Sequence, residues 1–500
     1  MQRYDLFIDG ASRPSSSGAT WLSENPASEE PWAEVAKATI DDVDAAVASG
    51  RRAFVDGTWR NMTREARAEV LERLAELMQD RQDELVFAEV ADGGGTFRKA
   101  CTADIPASAE TFQYYAELLR ETPEEEVKGY NIPVNSRNII RREPLGVVAC
   151  IVPFNFPLAG ASWKVAPALA AGNSVILKPS PYTPVTATMF AELAHEAGVP
   201  AGVFNVVCSD DHDIGAALVA HRDVAKVAFT GSTAVGSKVM ASCADNVRPI
   251  ILELGGKSPN IILSDAEIDV AVRGALFGTF FHGGQICESG TRLLVDRRIY
   301  DDFVGRLAEE AGRIAVGDPM DPMTTMGPLI SRAQRDRVER YVGLGHADGA
   351  RLVRGGQRPG GLERGYYYEP TIFASVANDM AIARDEIFGP VVSVIPFEDE
   401  SQALQIANDT MYGLGAAVWS RDVDRALAMA RHIEAGTVWI NDYHLLNPRF
   451  EFGGFKRSGF GRELGPSGLQ AFQQIKHIHV GEPGTVEDKY YFGLLLGEDE

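Results

Sequence analysis

One cysteine of this chain has the surroundings that nucleophilic catalysis requires. Cys287 lies in the stretch FHGGQICESGTR (Phe281–Arg292), whose glycines let a backbone approach a ligand closely and leave a side chain accessible. A thiol whose thiolate is stabilised is a strong nucleophile near neutral pH. Free cysteines are more often small apolar side chains of the core, which is our interpretation of Cys101, Cys150 and Cys243. The local sequence alone leaves both interpretations open for Cys287.

A carboxylate with the properties of a general base follows an apolar run. Glu253 lies in ILELGGKSP (Ile251–Pro259), where an apolar strand ends in the glutamate and two glycines. Doubly wound sheets keep their ligands at the carboxyl ends of the strands. Partial burial there raises a carboxyl pKa toward the range that suits a base. A glutamate that only caps the next element would look the same in the sequence.

Two turns offer further polar groups at the ends of apolar runs. In VPFNFPL (Val152–Leu158), the Asn155 amide has the chemistry of a donor to a developing oxyanion, although turn asparagines are common. In FTGSTAVG (Phe229–Gly236), an apolar run, two glycines and a helical pattern follow one another, as in a phosphate-binding turn. The GxGxxG spacing of the usual dinucleotide fingerprint is missing, so this turn alone is a weak signal.

The elements around these residues alternate between strand and helix. The apolar runs are Val147–Val152, Ser174–Lys178, Val203–Val207, Val227–Phe229 and Ile250–Glu253, separated by helix-like segments near 162–171, 183–197, 211–220 and 233–242. Such alternation predicts a doubly wound parallel sheet. The same α/β pattern continues through 256–445, which predicts a second domain. Upstream, residues 63–80 predict an amphipathic helix with Thr63 as its N-cap.

The composition is that of a globular protein with more than one domain. The chain has 500 residues, of which 45% are hydrophobic and 24% charged, and this length predicts two or three domains. The formal net charge of −22 disfavours binding to nucleic acid or to anionic membranes. No apolar run has membrane-spanning length, and the amino-terminal stretch lacks the features of a signal peptide.

The number and spacing of the cysteines indicate the cellular compartment and whether a metal site is expected. Five cysteines lie far apart along the chain, and none has CxxC spacing. A disulfide framework or a zinc site is therefore not expected. We expect a cytoplasmic protein that binds no metal and acts on a small molecule.

Taken together, these segments resemble the aldehyde dehydrogenase superfamily. The ELGGK stretch carries Glu253, and the GQIC stretch carries Cys287 34 residues later, a spacing typical of the hydrolytic branch. The stretches EIFGPV (Glu386–Val391), NDTMYGL (Asn408–Leu414) and EFGGFKRSGFGRELG (Glu451–Gly465) follow in the order of the family. The resemblance covers nearly the whole chain.

This resemblance implies an α/β fold and a reaction. The family joins a doubly wound, parallel-sheet dinucleotide-binding domain to a second α/β catalytic domain and a small β oligomerisation unit. On this chain these are 1–123 with 144–255, then 256–456, and strands in 124–143 with 470–485, before a tail of 486–500. The family oxidises an aldehyde to a carboxylic acid with NAD(P)+, through a thiohemiacetal and a thioester on the cysteine. We expect NAD as the preferred cofactor, NADP as an accepted alternative, and a homo-oligomer, either dimer or tetramer.

The family's catalytic roles fall on four residues of this sequence. Cys287 is expected to be the nucleophile and Glu253 the base that activates water. Asn155 and the Cys287 backbone amide are expected to form the oxyanion hole. Lys164, which follows a tryptophan, resembles the lysine of the family's proton relay.

The family's cofactor contacts fall mainly on the turns after the strands. We expect Lys178 at the adenosine ribose, Ser232 at the pyrophosphate, and Glu386 at the nicotinamide ribose with Phe388 beside it. The other positions expected to line the cofactor are Val152, Pro153, Phe154, Ser180, Pro181, Phe229, Gly231, Gly236 and Leu254.

Four positions depart from the family's pattern. Phe154 stands where a tryptophan is common, and Pro181 replaces an acidic residue that NAD-preferring members often place near the ribose 2′-hydroxyl. Ser209 stands near a glycine of the adenine side. Gln474 stands where we place a second glutamate that feeds the proton relay, so we expect that role to be absent or reassigned.

Two other functions share much of this pattern. A CoA-acylating dehydrogenase passes its acyl group to a thiol and needs no base to activate water, so Glu253 argues against it. A catalytically silent scaffold protein of the same fold would have lost the cysteine or the glutamate, and both are present.

Three phenylalanines near the motifs, Phe154, Phe156 and Phe281, predict an apolar tunnel for an aliphatic or aromatic aldehyde. The loop Tyr443–Phe450 is expected at its entrance.

Overall fold

The computed structural model of the chain describes residues 1–131 and 135–496. Residues 132–134 of the predicted oligomerisation strands and 497–500 of the predicted tail lie outside the described residues. The strands, in chain order, are β1 (Gln2–Tyr4), β2 (Leu6–Ile8), β3 (Ala11–Arg13), β4 (Thr20–Asn25), β5 (Glu30–Ala36), β6 (Glu125–Tyr130), β7 (Ser136–Pro144), β8 (Val147–Ile151), β9 (Ser174–Lys178), β10 (Phe204–Val206), β11 (Val224–Thr230), β12 (Ile250–Glu253), β13 (Pro259–Ile262), β14 (Arg292–Asp296), β15 (Arg351–Arg354), β16 (Thr371–Ala374), β17 (Val391–Phe397), β18 (Gly415–Trp419), β19 (Thr437–Ile440), β20 (Gly459–Phe460) and β21 (Gln473–Gly481).

The helices lie mostly between these strands. In chain order they are α1 (Ile40–Asp56), α2 (Arg64–Asp80), α3 (Gln82–Gly93), α4 (Phe97–Lys99), α5 (Ile105–Glu121), α6 (Pro157–Ala170), α7 (Val185–Glu196), α8 (His212–Ala220), α9 (Thr233–Ala244), α10 (Ile268–Phe280), α11 (Tyr300–Ala311), α12 (Arg332–Ala347), α13 (Ala381–Arg384), α14 (Glu400–Asn408), α15 (Val423–Ala430), α16 (Gly465–Gln470) and α17 (Gly493–Leu496). Within residues 1–131 and 135–496, no helix has both the length and the apolar composition that crossing a bilayer takes.

The first large sheet contains the predicted parallel core. In the described residues its strand order is β20-β12-β11-β8-β9-β10-β2-β3, and the strands from β12 to β10 run parallel to one another. These central strands are buried almost throughout because helices cover both faces. Outside this parallel core the pairing is antiparallel, since β20 pairs antiparallel with β12 and β2 pairs antiparallel with β10. Short antiparallel strands of this kind close the edges of an otherwise parallel sheet.

The second large sheet confirms a second α/β unit. Its order in the described residues is β15-β16-β17-β14-β13-β18-β19, and every pairing is parallel except that of β15 with β16. Strands β14 and β18 are buried along their whole length. The predicted helix at 63–80 is also confirmed, because α2 spans Arg64–Asp80 and the Thr63 hydroxyl accepts the Ala66 N–H at 3.1 Å.

A small exposed sheet contains the strands that we predicted to mediate oligomerisation. Strand β7 lies between β21 and β6, and both pairings are antiparallel. Large apolar side chains of this sheet are exposed, including Val127, Tyr130, Ile475 and Ile478. The domain limits and the role in oligomerisation stay predictions.

Helix α10 leads from the second sheet to the Cys287 segment and packs closely on a tryptophan. A Cβ on Gly274 would lie 2.0 Å from Cη2 of Trp419. The Trp419 ring is buried, and its Nε1 donates a hydrogen bond to Oδ1 of Asn260 at 2.6 Å. Because that bond fixes the ring, the helix approaches the sheet at a distance that only glycine permits.

We expect Gly274→Ala to destabilise the protein by about 1–3 kcal/mol, since the added methyl must displace the Trp419 ring or the helix. Gly305→Ala on α11 is the matched control, because a Cβ at Gly305 meets no atom within 4 Å. Alanine in a helix is about 0.5–1 kcal/mol more favourable than glycine. The apparent melting temperatures, followed by far-ultraviolet circular dichroism, should therefore fall for the first variant and not for the second. An unchanged melting temperature for Gly274→Ala would contradict the tight contact.

Candidate active site

The glycines of the ELGGK stretch bring three distant segments into contact at the carboxyl end of β12. A Cβ on Gly256 would lie 2.4 Å from the carbonyl oxygen of Cys287, and a Cβ on Gly255 would lie 2.1 Å from Oε2 of Glu386. Oε1 of Glu386 also accepts a hydrogen bond from the Gly256 N–H at 3.1 Å. Only glycine leaves room for these approaches. The tertiary structure thereby places Cys287 and Glu386 against the residues that directly follow Glu253.

The Cys287 segment leaves α10 through a turn of left-handed residues. His282, Gly283 and Gly284 have φ angles of 50°, 62° and 70°. A Cβ on Gly284 would lie 2.3 Å from the carbonyl oxygen of Gly389, so this glycine is needed for contact with the EIFGPV stretch. The side chain of Cys287 remains partly exposed at the end of this turn.

The thiol of Cys287 is hydrogen-bonded to a carboxylate that the sequence analysis did not assign. Sγ donates to Oε2 of Glu288 at 3.1 Å, and Oε1 of Glu288 lies 2.9 Å from Nδ1 of His444. Burial raises the pKa of the thiol well above its usual value, and the negative charges of Glu288, Glu386 and Glu253 add to that shift. Glu288 is visible in GQICESG, but its partner His444 is 156 residues away, so no local pattern indicated the pair.

Asn155 lies in the turn after β8, beside the cysteine segment. Its Nδ2 donates a hydrogen bond to the carbonyl oxygen of Gln285 at 2.9 Å, and the residue is buried. A carboxamide nitrogen has two hydrogens, so a second donor remains for an oxyanion. The Lys99 ammonium steadies this turn, because it donates to the Asn155 carbonyl at 3.3 Å and pairs with Asp104 at 2.6 Å. The role of Asn155 in the oxyanion hole stays a prediction.

Lys164, on α6, forms a buried ion pair near Glu253. Its ammonium donates hydrogen bonds to Oγ1 of Thr230 at 2.6 Å and to the carboxylate of Glu463. Burial raises the pKa of Glu253 well above its usual value; the Glu463 charge adds to this, and the charges of Lys164 and Arg462 oppose it. Within the described part of the chain, the carboxyl oxygens of Glu253 have no hydrogen-bond partner. A buried carboxyl of this kind is available to bind and deprotonate water.

Gln474 lies away from Lys164, in agreement with the expectation that its relay role is absent or reassigned. Gln474 lies on the exposed strand β21, where its Nε2 donates to the carbonyl oxygen of Pro144 at 3.4 Å. The carboxylate beside Lys164 is instead Glu463, in the GRELG stretch. Both positions lie near the carboxyl terminus, and only the tertiary structure distinguishes a side chain that enters the site from one on a surface strand. A carboxylate other than Glu253 therefore lies beside Lys164, and its part in a proton relay stays a prediction.

Three aromatic rings meet where the nicotinamide end of the cofactor is predicted. The Phe154 ring lies edge-on to Phe388 and to Tyr182, with centroid distances of 5.7 and 6.0 Å. Phe388 has a φ of 60°, a left-handed conformation that is uncommon for an aromatic residue. Phe154 follows Val152 and Pro153 directly, so these three residues share the turn after β8.

The turn after β9 contains the residues predicted at the adenosine ribose. The Lys178 ammonium donates to the carbonyl oxygens of Pro179 at 3.1 Å and Ser209 at 3.5 Å. Burial lowers the pKa of Lys178. The Ser180 hydroxyl accepts the N–H two residues later at 3.2 Å, and Pro181 lies half-buried between them.

The predicted phosphate turn joins β11 to α9. Ser232 is the N-cap of α9, and its hydroxyl accepts the N–H three residues later at 3.3 Å. A Cβ on Gly236 would lie 2.4 Å from Cδ2 of Leu254, and a Cβ on Gly231 would lie 2.6 Å from Cζ of Phe229. The turn therefore packs closely on the segment after β12. An anion at this helix end would meet free backbone N–H groups and the positive end of the helix dipole.

Apolar side chains surround one side of Cys287. A small buried cluster packs against Cys287 together with two partly buried neighbours, and its members are Leu414, Phe452, Leu464, Trp163 and Leu446. The rings of Trp163 and Phe452 lie 5.3 Å apart. Arg449, in the loop that we expected at the entrance, forms an ion pair with Glu117 on α5 at 2.5 Å.

Comparisons with known proteins agree along nearly the whole chain. The family model described as "Aldehyde dehydrogenase family" matches residues 13–478. A betaine aldehyde dehydrogenase of Bacillus subtilis (strain 168) is 43% identical over 485 residues, which cover 95% of this chain and 96% of that protein. An aldehyde dehydrogenase of Emericella nidulans is 44% identical over 481 residues, covering 96% of this chain and 95% of that protein.

Solved structures with similar sequences share the fold. A mutant of the P. syringae indole-3-acetaldehyde dehydrogenase in complex with NAD+ and IAA has a TM-score of 0.93 and 40% identity, covering 96% of each chain. A betaine aldehyde dehydrogenase of Staphylococcus aureus in complex with NAD+ has a TM-score of 0.94 and 39% identity, covering 97% of this chain and 96% of that one. On this sequence and structural agreement, the chain belongs to the aldehyde dehydrogenase family.

Proposed function

We propose that Cys287 and Glu253 carry out the aldehyde oxidation that defines the family of this chain, with NAD+ as the preferred cofactor. The observation that carries this proposal is the contact at Gly255 and Gly256, which sets the cysteine backbone against the residues that follow the glutamate. The nucleophile and the base then lie at one site, as a two-step acylation and hydrolysis requires.

The first step forms a bond between Sγ of Cys287 and the aldehyde carbon. The carbonyl electron pair moves onto oxygen, and the second amide hydrogen of Asn155 is available to stabilise that charge. Removing one such donor from a related hydrolase costs about 3 kcal/mol. The buried surroundings of Asn155 increase the effect, because electrostatic interactions strengthen where water is excluded.

The residues at the proposed cofactor site fit a dinucleotide. Gly231 and Gly236 let the turn between β11 and α9 pack closely on Phe229 and Leu254, and the N-terminus of α9 at Ser232 offers backbone N–H groups to a pyrophosphate. In this proposal Glu386, which is partly buried and whose pKa is raised to about 7 by desolvation, accepts a hydrogen bond from one ribose hydroxyl, and Lys178 contacts the other ribose. Bound NAD+ supplies the acceptor for the hydride that leaves the substrate carbon.

Glu253 serves the hydrolytic step. Glu253 takes a proton from water as the water oxygen bonds to the acyl carbon and the carbon–sulfur bond breaks, which releases the carboxylic acid and the Cys287 thiolate. The raised pKa of Glu253 suits a base that must also return its proton. The Lys164–Glu463 pair beside it is placed to pass that proton away from the site. A buried base for water supports hydrolysis over transfer to coenzyme A and over a silent scaffold.

The surroundings of Cys287 support an apolar aldehyde as substrate. Trp163, Phe452, Leu446 and Leu464 pack on the nucleophile's side of the site. Arg449 is engaged with Glu117 and so is not available to hold a substrate carboxylate. We therefore favour aliphatic or aromatic aldehydes over semialdehyde acids.

The exposed apolar side chains of the small sheet formed by β6, β7 and β21 support self-association. Ile475 on β21 is 70% exposed and Val127 on β6 is 60% exposed. Apolar side chains in such a row are typical of an interface. We propose a homo-oligomer that pairs through β6, β7 and β21. A cytoplasmic location, supported by five free thiols, completes the proposal.

Glu253→Gln should stop turnover after the acyl-enzyme forms, because the amide cannot deprotonate water. Rapid mixing with aldehyde and NAD+ should give one equivalent of NADH per site and then a rate about 10²–10⁴-fold below the parent. Cys287→Ala is the control and should give no burst while still binding NAD+. Full steady-state turnover in Glu253→Gln would reject its role.

Glu463→Gln should shift the acid limb of the kcat profile to lower pH. A base acts in its ionised form, so a raised pKa makes the rate fall early as the pH drops. Removing the Glu463 charge leaves Lys164 to favour ionised Glu253, which lowers the Glu253 pKa. The matched control is Glu451→Gln, a charge removal at an exposed position of the same stretch. An acid limb that stays in place, or moves to higher pH, would contradict the coupling.

Pro181→Glu should reduce the use of NADP while retaining NAD. A carboxylate there would repel a 2′-phosphate and bond a ribose hydroxyl, and proline can do neither. In the parent we expect kcat/KM values for the two cofactors within about a hundredfold, or about 3 kcal/mol. Pro181→Gln separates charge from hydrogen bonding and should retain NADP use. Strict NADP dependence of the parent, or unchanged NADP use in Pro181→Glu, would show that the position is misassigned.

A further inference from the structure

Three polar side chains form a row that begins at the nucleophile. Sγ of Cys287 donates to Glu288 at 3.1 Å, and Glu288 contacts His444 Nδ1 at 2.9 Å. The other ring nitrogen of His444 lies 3.1 Å from the carbonyl oxygen of Gly278. The side chains of His444 and Glu288 are only 4% and 6% exposed. The roles proposed for Cys287, Glu253 and Lys164 do not involve Glu288 or His444.

The Gly278 carbonyl fixes where the protons of the row lie. A carbonyl oxygen only accepts, so Nε2 of His444 must hold a hydrogen. Nδ1 and the Glu288 carboxylate then share one further proton, as imidazolium with carboxylate or as imidazole with carboxylic acid. In both forms the pair has no net charge, which makes its burial tolerable.

The pair is held in place by neighbouring elements. The Tyr443 hydroxyl donates to the backbone carbonyl of Glu288 at 2.8 Å, and a Cβ on Gly278 or Gly290 would lie within 3 Å of the Tyr443 ring. His444 has a φ of 59°, a left-handed conformation that is uncommon for a residue other than glycine. Strained residues of this kind persist where the surroundings over-determine them and are frequent at functional sites.

We propose that Glu288 is a catalytic residue that accepts the proton of the Cys287 thiol during attack on the aldehyde, with His444 as its positioning residue. This inference rests on the proposed function and divides its proton transfers between two carboxylates. As the carbon–sulfur bond forms and the carbonyl electrons move to oxygen, the S–H bond breaks and its proton passes to Glu288. The side chains of Cys287, Glu288 and His444 together gain one positive charge, and the new alkoxide gains one negative charge. The total charge of the site therefore stays the same.

The contacts favour Glu288 over Glu253 for this transfer. The Glu288 carboxylate is hydrogen-bonded to Sγ, whereas in the described part of the chain the carboxyl oxygens of Glu253 have no hydrogen-bond partner. At rest the proton stays on sulfur, because burial and the carboxylate charges raise the thiol pKa. Burial alone would raise the pKa of Glu288, but the hydrogen bond and charge of His444 hold it below its usual value. The transfer therefore occurs only as the bond to carbon makes sulfur more acidic, and the resting thiol is protected from oxidants.

Glu288→Gln should change two properties of Cys287 in opposite directions. Without the base, the pre-steady-state rate of NADH formation should fall by about 10²–10³-fold. Without the adjacent negative charge, the thiol pKa should fall, so that iodoacetamide alkylates Cys287 several-fold faster at mildly alkaline pH. Alkylation is read by mass spectrometry of the Cys287 peptide, and the partly exposed Cys101 in the same chain is the internal reference.

His444→Gln tests the positioning residue and remains informative if Glu288→Gln does not fold. Losing the imidazolium raises the Glu288 pKa, so the acid limb of the burst rate should move to higher pH. The groups that face the thiol and Glu288 here are Glu253, Glu386, Tyr443 and His444. A merely structural role would lower the rate at every pH without moving the limb.

The outcomes separate this proposal from the proposed function. A burst in Glu288→Gln at the parent's rate, or slower alkylation of its Cys287, overturns the role of Glu288. An unmoved acid limb in His444→Gln overturns the role of His444. A parent enzyme that forms no NADH from any aldehyde overturns the proposed function itself, whatever the variants do.

Discussion

Gly255 and Gly256 form the contact on which the rest of the site depends. The carbonyl oxygen of Cys287 and the carboxylate of Glu386 approach these glycines more closely than any side chain would permit. Glu253 ends a strand of the first large sheet, whereas the segments of Cys287 and Glu386 lead into β14 and β17 of the second. The active site is therefore a property of the junction between the two sheets.

Two neutral pairs of buried charged side chains lie close to that junction. Lys164 and Glu463 form one pair beside Glu253, and His444 and Glu288 form another beside Cys287. Unpaired ions at these depths would be strongly destabilising, since burial penalises the charged form. Each pair lies beside one reacting group, so a proton can move locally without leaving an isolated buried charge. In the proposed mechanism, this arrangement lets one site support both the attack of the thiol and the attack of water.

Sequence patterns predicted the sheet better than they predicted its edges. The continuous apolar runs from Val147 to Glu253 correctly indicated parallel strands, because burial on both faces leaves a local signature. Strands as short as β20 and β2 carry no such periodicity, and their antiparallel pairing was not predicted. The position of the carboxylate beside Lys164 was missed for a similar reason. The sequence pointed to position 474, but nothing local distinguishes an inward-facing carboxylate such as Glu463 from a residue on a surface strand.

The sequence by itself determined the order of strands and helices, the nucleophile candidate Cys287 and the base candidate Glu253. Those features are local, since periodicity and glycine-flanked turns are readable within a few residues. Only the tertiary structure decided which other groups reach them. Glu463 pairs with Lys164 across 299 residues of chain and His444 meets Glu288 across 156 residues. Contacts at such separations depend on which strands and helices lie side by side in the folded chain, and no short stretch of sequence contains that information.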